Sequence, residues 1–142
     1  MLKGLNPLLG PELLRTLRAM GHGDEIAIVD GNYPADADAQ RLVRADGHSA
    51  TDLLDAILSV MPLDAMVADC VFRPAAHLDP ARMEPVFADF ETIVKKWEPS
   101  RHITTLVGEA FYSRVKACYA IVASSERRLY GNIVLKKGVV HP

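Results

Sequence analysis

Apolar positions along the chain follow two alternating periods. Some segments repeat every 3.6 residues, as amphipathic helices do, and others are short runs of branched apolar residues, as buried strands are. We predict helices over residues 11–20, 51–61, 78–97 and 109–118. We predict strands over residues 25–30, 41–45, 64–72, 102–106, 119–124 and 132–138. This alternation predicts an α/β fold in which helices cover the faces of a sheet.

Proline and glycine positions refine these boundaries. Pro85 removes a backbone hydrogen bond inside the fourth apolar stripe, so that helix begins near Glu84 or is kinked there. The segment GNYPADAD, residues 31–38, reads as a loop. The last two strands are separated by a short turn region and are candidates for antiparallel pairing, which makes the sheet mixed rather than purely parallel.

Composition limits the classes of function. The 142 residues include 49% hydrophobic and 24% charged residues with a net charge of -2, which predicts one globular domain over residues 1–142. The absence of a basic excess argues against nucleic acid and anionic membranes as partners. The amino terminus lacks the layout of a signal peptide, and Cys70 and Cys118 lie in apolar stretches, so we expect a cytoplasmic protein with reduced thiols.

Candidate chemistry appears first in GHGDEIAIVDGNYP, residues 21–34. His22 lies between two glycines before a predicted buried strand, and Asp30 follows that strand, where α/β sheets often bind ligands. Histidine transfers protons near neutral pH, so His22 is a candidate acid/base catalyst. The alternatives are an exposed turn histidine, and an Asp30 that only makes a local turn before Gly31.

A second candidate segment is LYGNIVLKKG, residues 129–138. Tyr130, Gly131 and Asn132 combine a phenol, an approachable backbone and a carboxamide, which together suit a ligand rich in hydroxyl groups. The alternative is a plain turn in which Asn and Gly accept positive φ. Metal-ligand residue types are scattered without ligand spacing, and neither a phosphate-binding loop nor a hydrolase nucleophile motif is present, so we expect no metal and no cofactor. These scattered residues are His22, Asp24, Asp30, His48, Asp52 and His77.

Three blocks of the chain together resemble the RbsD/FucU family of sugar mutarotases, closest to its L-fucose branch. They are MLKGLNPLLGPELLRTLRAMGHGDEIAIVDGNYPA, VRADGHSATDLLDAI and AFYSRVKACYAIVASSERRLYGNIVLKKGVV. The resemblance implies a three-layer α/β sandwich with a mixed sheet. It also implies that His22 is catalytic, that Asp30 and Tyr130, Gly131 and Asn132 bind a monosaccharide, and that no cofactor is needed. Relatives form ring-like homo-oligomers, often decamers, with sites near subunit interfaces.

One position departs from the family pattern. By this resemblance, Gly108 stands where members of the fucose branch carry an arginine and members of the ribose branch carry a histidine. Either another side chain such as Arg114 replaces the missing contact, or the sugar differs. Two functions therefore follow from the resemblance: a mutarotase that uses His22 as general acid/base, or a non-catalytic monosaccharide-binding or transport-associated protein.

Overall fold

The computed structural model describes residues 1–142 and contains five helices and six strands. In chain order the elements are α1 (Pro11–Ala19), β1 (Glu25–Val29), α2 (Ala35–Asp38), β2 (Leu42–Ala45), α3 (Ala50–Leu58), β3 (Val71–Pro74), α4 (Pro85–Trp97), β4 (Thr104–Leu106), α5 (Glu109–Ala117), β5 (Ala120–Ser124) and β6 (Ile133–Lys136). No helix is both long enough and apolar enough to cross a bilayer.

The six strands form one mixed sheet in the order β2-β5-β1-β6-β3-β4. β1 pairs in parallel with β5 and antiparallel with β6, so the reversal of direction lies at the centre of the sheet. The predicted mixed sheet is therefore confirmed. The predicted pairing of the last two strands with each other is wrong, because β1 lies between them. Four consecutive β1 residues, Ile26 to Val29, are fully buried, which makes β1 the central strand.

Helices cover both faces of the sheet. Ile26 and Ile28 of β1 belong to a cluster of 26 buried residues beneath α1, α3 and α4. Ala27 and Val29 point the other way, into a cluster of 10 buried residues beneath α5 and α2. Because side chains alternate between the two faces of a strand, β1 contributes residues to two separate cores. The three-layer α/β sandwich is confirmed.

Three predicted boundaries change in the structure. Glu84 is the N-cap of α4 and Pro85 is in its first turn, so the helix begins there and has no kink. The predicted loop over residues 31–38 is partly wrong, because α2 forms directly after Pro34. The strand predicted over residues 64–72 begins only at Val71. Before it, the Asp64 side chain accepts a hydrogen bond from the Met66 N–H at 3.0 Å, which closes a turn instead of a strand.

A close backbone contact fixes the segment before β3 against the end of β6. Gly138 donates its N–H to the carbonyl oxygen of Pro62 at 2.8 Å. A Cβ atom at Gly138 would lie 2.4 Å from the carbonyl oxygen of Leu63 and 2.9 Å from the Cα of Asp64. Only glycine allows this approach, and the approach places Asp64 beside the carboxyl end of β6.

We expect Gly138→Ala to destabilise the fold by about 1–3 kcal/mol, because the added methyl group must displace backbone atoms. The measurement is the thermal unfolding midpoint and the free energy of unfolding in denaturant. Gly10→Ala is the matched control, since its φ is -69 and a Cβ there meets nothing within 4 Å. Gly10 is the N-cap of α1, where alanine is less favourable than glycine, so this substitution should cost no more than about 1 kcal/mol. Equal effects of the two substitutions would contradict the close-contact explanation.

Candidate functional site

A buried pair of polar side chains lies where β1 ends and β6 begins. Asp30 donates its backbone N–H to Asn132 Oδ1 at 2.8 Å, and Asn132 Nδ2 donates to Asp30 Oδ2 at 3.1 Å. The Asn32 N–H donates to Asp30 Oδ1 at 2.9 Å, so the local turn considered for Asp30 is present. A carboxylate has about four acceptor positions, so Asp30 keeps acceptor capacity for a ligand in spite of these bonds.

The backbone before β6 is shaped to fit against this pair. Tyr130 adopts a positive φ of 61, and the Asn132 N–H donates to the Tyr130 carbonyl oxygen at 2.7 Å. A Cβ atom at Gly131 would lie 2.6 Å from Glu126 Cγ and 3.6 Å from Asp30 Cβ. Gly131 is therefore required by close packing, and the tight turn brings Tyr130 and Asn132 to the same place as Asp30.

Asp30, Tyr130 and Asn132 line an open pocket of about 440 Å³ together with the loop after β1 and one side of α5. Tyr33 and Tyr112 stack with ring centroids 6.3 Å apart, and the Tyr33 hydroxyl donates to Asp38 at 2.8 Å. Burial raises the pKa of both phenols, so both stay neutral and keep their protons. The remaining side chains along the pocket include Glu109, Lys116 and Leu129. Aromatic faces combined with donors and acceptors suit a polyhydroxylated ring.

His22 lies at the opposite end of β1 from this pocket. Its turn is closed by the Gly21 N–H, which donates to Asp24 Oδ2 at 2.7 Å. The Gly23 N–H donates to the Lys137 carbonyl oxygen at 2.9 Å, at the far end of β6 from Asn132. β1 alone spans about 13 Å at about 3.3 Å per residue, and His22 and Asp30 lie beyond its two ends. Within one chain, no single monosaccharide contacts both.

Sequence reasoning missed the residue that contacts His22. Asp64 Oδ1 lies 3.2 Å from His22 Nε2, and the two side chains are 3% and 42% exposed. Asp64 is far from His22 in sequence, and the apolar pattern around it predicts a strand, so the pattern gives no indication of this contact. The available signal was a lone carboxylate between two apolar stretches, a residue type that is rarely buried without a partner.

The structure settles how Arg114 is used. Its guanidinium donates to both oxygens of Glu25, at 2.9 and 2.6 Å, and lies 3.6 Å from the centre of the Phe72 ring. Arg114 is therefore held at the amino end of β1 and does not line the pocket of its own chain, so its replacement of the contact absent at Gly108 stays a prediction. Gly108 has a φ of 57 and begins α5. The cationic side chain that α5 presents to the pocket is Lys116.

The residue types considered for a metal do not converge. No three His, Cys, Asp or Glu side chains are grouped so as to hold a metal ion. His22 meets Asp64, while His77 packs against the Tyr130 ring at 5.2 Å between centroids. His48 is exposed at the start of α3.

Comparison with known proteins gives concordant sequence and structural matches. The sequence model of the RbsD / FucU transport protein family matches residues 3–140. A human protein, fucose mutarotase, is 40% identical over 149 residues, which cover 98% of this chain and 94% of the human protein.

Solved structures show the same relationship. The fucose mutarotase of Streptococcus pneumoniae, solved in complex with L-fucose, superposes with a TM-score of 0.92 at 40% identity, covering 99% of this chain and 100% of the other. FucU of Bifidobacterium longum superposes with a TM-score of 0.91 at 36% identity, covering 98% and 100%. Bacillus subtilis RbsD, complexed with D-ribose, shares the fold alone, with a TM-score of 0.75 at 20% identity over 99% and 100%. The chain belongs to the RbsD/FucU family.

Proposed function

We propose that the protein is a sugar mutarotase that interconverts the anomers of L-fucose or a closely related monosaccharide. The observation that carries this proposal is the buried Asp30–Asn132 pair beside Tyr130, in a pocket whose lining suits a polyhydroxylated ring. The support from relatives is that two proteins 40% identical over nearly the whole chain are fucose mutarotases, one of them solved with L-fucose.

In this proposal, different pocket residues make different contacts with the sugar. Asp30 accepts hydrogen bonds from sugar hydroxyls, since its buried carboxylate is already oriented by Asn132 and by the turn at Asn32. The Tyr130-Gly131-Asn132 segment contacts the ring through the Tyr130 phenol and the Asn132 amide, with Gly131 allowing the tight turn between them. Because these groups are locked by packing before a ligand arrives, binding requires little ordering of the protein.

The chemistry needs only proton transfers. A base removes the proton of the anomeric hydroxyl, the bond between the anomeric carbon and the ring oxygen breaks, and the ring oxygen takes a proton. The open-chain aldehyde rotates about its bond to the next carbon, and the steps reverse on the other face. The sugar is neither oxidised nor reduced, and the proton that the hydroxyl loses is balanced by the one that the ring oxygen gains. We assign one of these proton transfers to His22, since an imidazole both accepts and donates a proton near neutral pH.

The distance between the two ends of β1 shapes this proposal. His22 and Asp30 act on one sugar only if they come from different copies of the chain. We infer a homo-oligomer, with the ring-like decamer as its expected form, in which the His22 turn of one copy faces the Asp30 pocket of its neighbour. Two exposed apolar side chains beside the pocket support coverage by a second copy: Leu129 at its edge and Leu78 over Gly108 are 59% and 69% exposed.

The competing function is a monosaccharide-binding or transport-associated protein without catalysis. It is favoured by Gly108, which contributes no side chain where its relatives have a polar one. Both functions use the same pocket and the same proposed cytoplasmic location, which the two free, buried cysteines fit. They differ in the proton transfer alone.

We expect the protein to accelerate exchange between the α and β anomers of L-fucose, and His22→Ala to reduce this acceleration by about 10²–10⁴-fold, the usual contribution of a general acid/base. The measurement is saturation transfer between the two anomeric protons by NMR, repeated with D-ribose and related sugars. His141→Ala is the control, since that histidine lies exposed near the carboxyl terminus and should be without effect. Sugar binding without faster exchange would support the non-catalytic alternative instead.

Sites shared between copies predict complementation. His22→Ala and Asp30→Ala should each be nearly inactive alone, whereas co-assembly of the two variants should restore about a quarter of wild-type activity, since random mixing of two chains gives that fraction of intact sites. Anomeric exchange measured after co-expression provides the test. The doubly substituted chain co-expressed with either single variant is the control and should restore nothing. A site contained in one chain would give no recovery in any mixture.

A further inference from the structure

The segment that carries Tyr130 and Asn132 is preceded by an ion pair that does not line the sugar pocket. Arg128 donates from Nε to Glu126 Oε1 at 2.9 Å and from Nη2 to Glu126 Oε2 at 3.0 Å. We propose that Arg128, through Glu126, is a positioning residue for the sugar. The pair sets the turn that places the Tyr130 phenol and the Asn132 amide in the pocket. This inference rests on the proposed function, in which those two groups bind a monosaccharide.

Glu126 is in contact with both halves of the pocket. Its carbonyl oxygen accepts the Gly31 N–H at 2.9 Å, directly after Asp30. Its Cγ fills the inside of the turn before Asn132, where a Cβ atom at Gly131 would lie only 2.6 Å away. A displacement of Glu126 therefore moves the loop after β1 and the turn before β6 together.

The main chain of Glu126 is fixed at the carboxyl end of β5. Its N–H donates to Ser124 Oγ at 3.1 Å, and the same hydroxyl donates to the Val29 carbonyl oxygen at 2.6 Å. These bonds hold the backbone beside the end of β1. They do not set the direction of the Glu126 side chain, which depends on the partners of its carboxylate.

Arg128 links that carboxylate to the helices. Its Nη1 donates to Asp89 of α4, and its Nη2 lies 3.5 Å from Thr51 Oγ1 of α3. Its backbone N–H also donates to Glu126 Oε1 at 3.0 Å. A guanidinium holds five donors in one plane, so a single side chain joins these acceptors in a fixed geometry. The turn is thereby fixed relative to α3 and α4, whose apolar faces belong to the larger core.

The charges of the two side chains agree with a permanent bond. Glu126 is 4% exposed and Arg128 is 35% exposed. The hydrogen bond from the Arg128 guanidinium holds the pKa of Glu126 below its usual value although burial opposes this, and the backbone N–H groups of Arg128 and Ala50 contribute less. Without Arg128, a carboxylate that is almost completely buried would lose its cation, which is costly and favours its rotation towards water.

The turn needs such support because it is strained. Tyr130 has a positive φ of 61, which is unfavourable for a residue with a Cβ atom. The Asn132 N–H donates back to the Tyr130 carbonyl oxygen at 2.7 Å, so the reversal is completed within three residues. A strained conformation persists only where surrounding contacts impose it. Relaxation to a negative φ would turn the phenol away from its place in the pocket.

The neighbouring arginine provides a matched control. Arg127 has the same side chain one position away, is exposed, and does not line the sugar pocket. None of the bonds to Glu126, Asp89 or Thr51 involves it. Substituting Arg127 therefore changes the net charge by the same amount and leaves the ion pair intact.

The binding test compares Arg128→Met with Arg127→Met in the full-length protein. Methionine keeps an apolar stem but has no donors. We expect the dissociation constant for L-fucose, measured by titration calorimetry, to rise about 2–10-fold in Arg128→Met, as for one lost hydrogen bond. We expect kcat for anomeric exchange to change less than about twofold, because His22 lies at the other end of β1. Arg127→Met should leave both constants unchanged.

Two results would overturn the proposal. One is a folded Arg128→Met protein with wild-type affinity for L-fucose. The other is a fall in kcat at unchanged affinity, since a merely structural role lowers the amount of active protein without weakening the sites that remain.

A second measurement needs neither a sugar nor activity. Hydrogen–deuterium exchange over residues 126–132, read by mass spectrometry, reports how firmly the turn is held. We expect exchange at least about tenfold faster in Arg128→Met than in Arg127→Met, because charge-assisted hydrogen bonds are lost, with equal rates over residues 11–19. Equal exchange over residues 126–132 would contradict the proposal whichever sugar is bound.

Arg128→Lys replaces Arg128→Met if the latter does not fold. Lysine keeps the charge but cannot bind several acceptors in one plane, so residues 126–132 should again exchange faster than in the wild type. A Lys variant with wild-type exchange would overturn the proposal. If the wild type neither binds L-fucose nor accelerates its anomeric exchange, the proposed function fails, while the exchange measurement still decides whether Arg128 holds the turn.

Discussion

The pairing of β1 with a parallel strand on one side and an antiparallel strand on the other is the constraint on which the rest of the structure depends. β1 is buried on both faces, so every polar group associated with it lies at one of its ends. The reversed strand β6 then brings its own two ends to the same places. Asn132 meets Asp30 at one end, and Lys137 meets the His22 turn at the other.

This arrangement separates binding and proton transfer by the length of the central strand. A strand cannot bend enough to bring its two ends to one ligand, so the chain divides the proposed site into two halves. Under the proposed function, assembly of copies is what completes the site, so it serves the chemistry and not stability alone. Both halves depend on glycines in close contact: Gly131 against Glu126 and Asp30, and Gly138 against Leu63 and Asp64. The two glycines lie on either side of the same short strand.

Sequence periodicity predicted most of the fold for a physical reason. α1, α3, α4 and α5 each bury one apolar stripe, and β1 and β5 are mostly apolar and buried along nearly their whole length, so local pattern and tertiary position agree. It failed over residues 64–70, where the side chains of Asp64 and Arg101 bond to backbone groups and replace strand pairing. The Asp64 bond is a local turn, but the Arg101 bonds reach Val67 and Ala68 from more than 30 positions away, and no short window of the sequence contains both partners.

The sequence by itself determined the family, the α/β class and the residues able to bind a ligand or transfer a proton. Short motifs such as GHGDEIAIVD and YGN are sufficient for this, because they reflect the local backbone conformation and the chemistry of single residues. Only the tertiary structure decided which of these residues meet. It grouped Asp30, Tyr130 and Asn132, placed His22 at the other end of β1, and supplied Asp64 as its partner. Strand order and direction decide these distances, and they follow from how the strands pack between two layers of helices rather than from any local pattern.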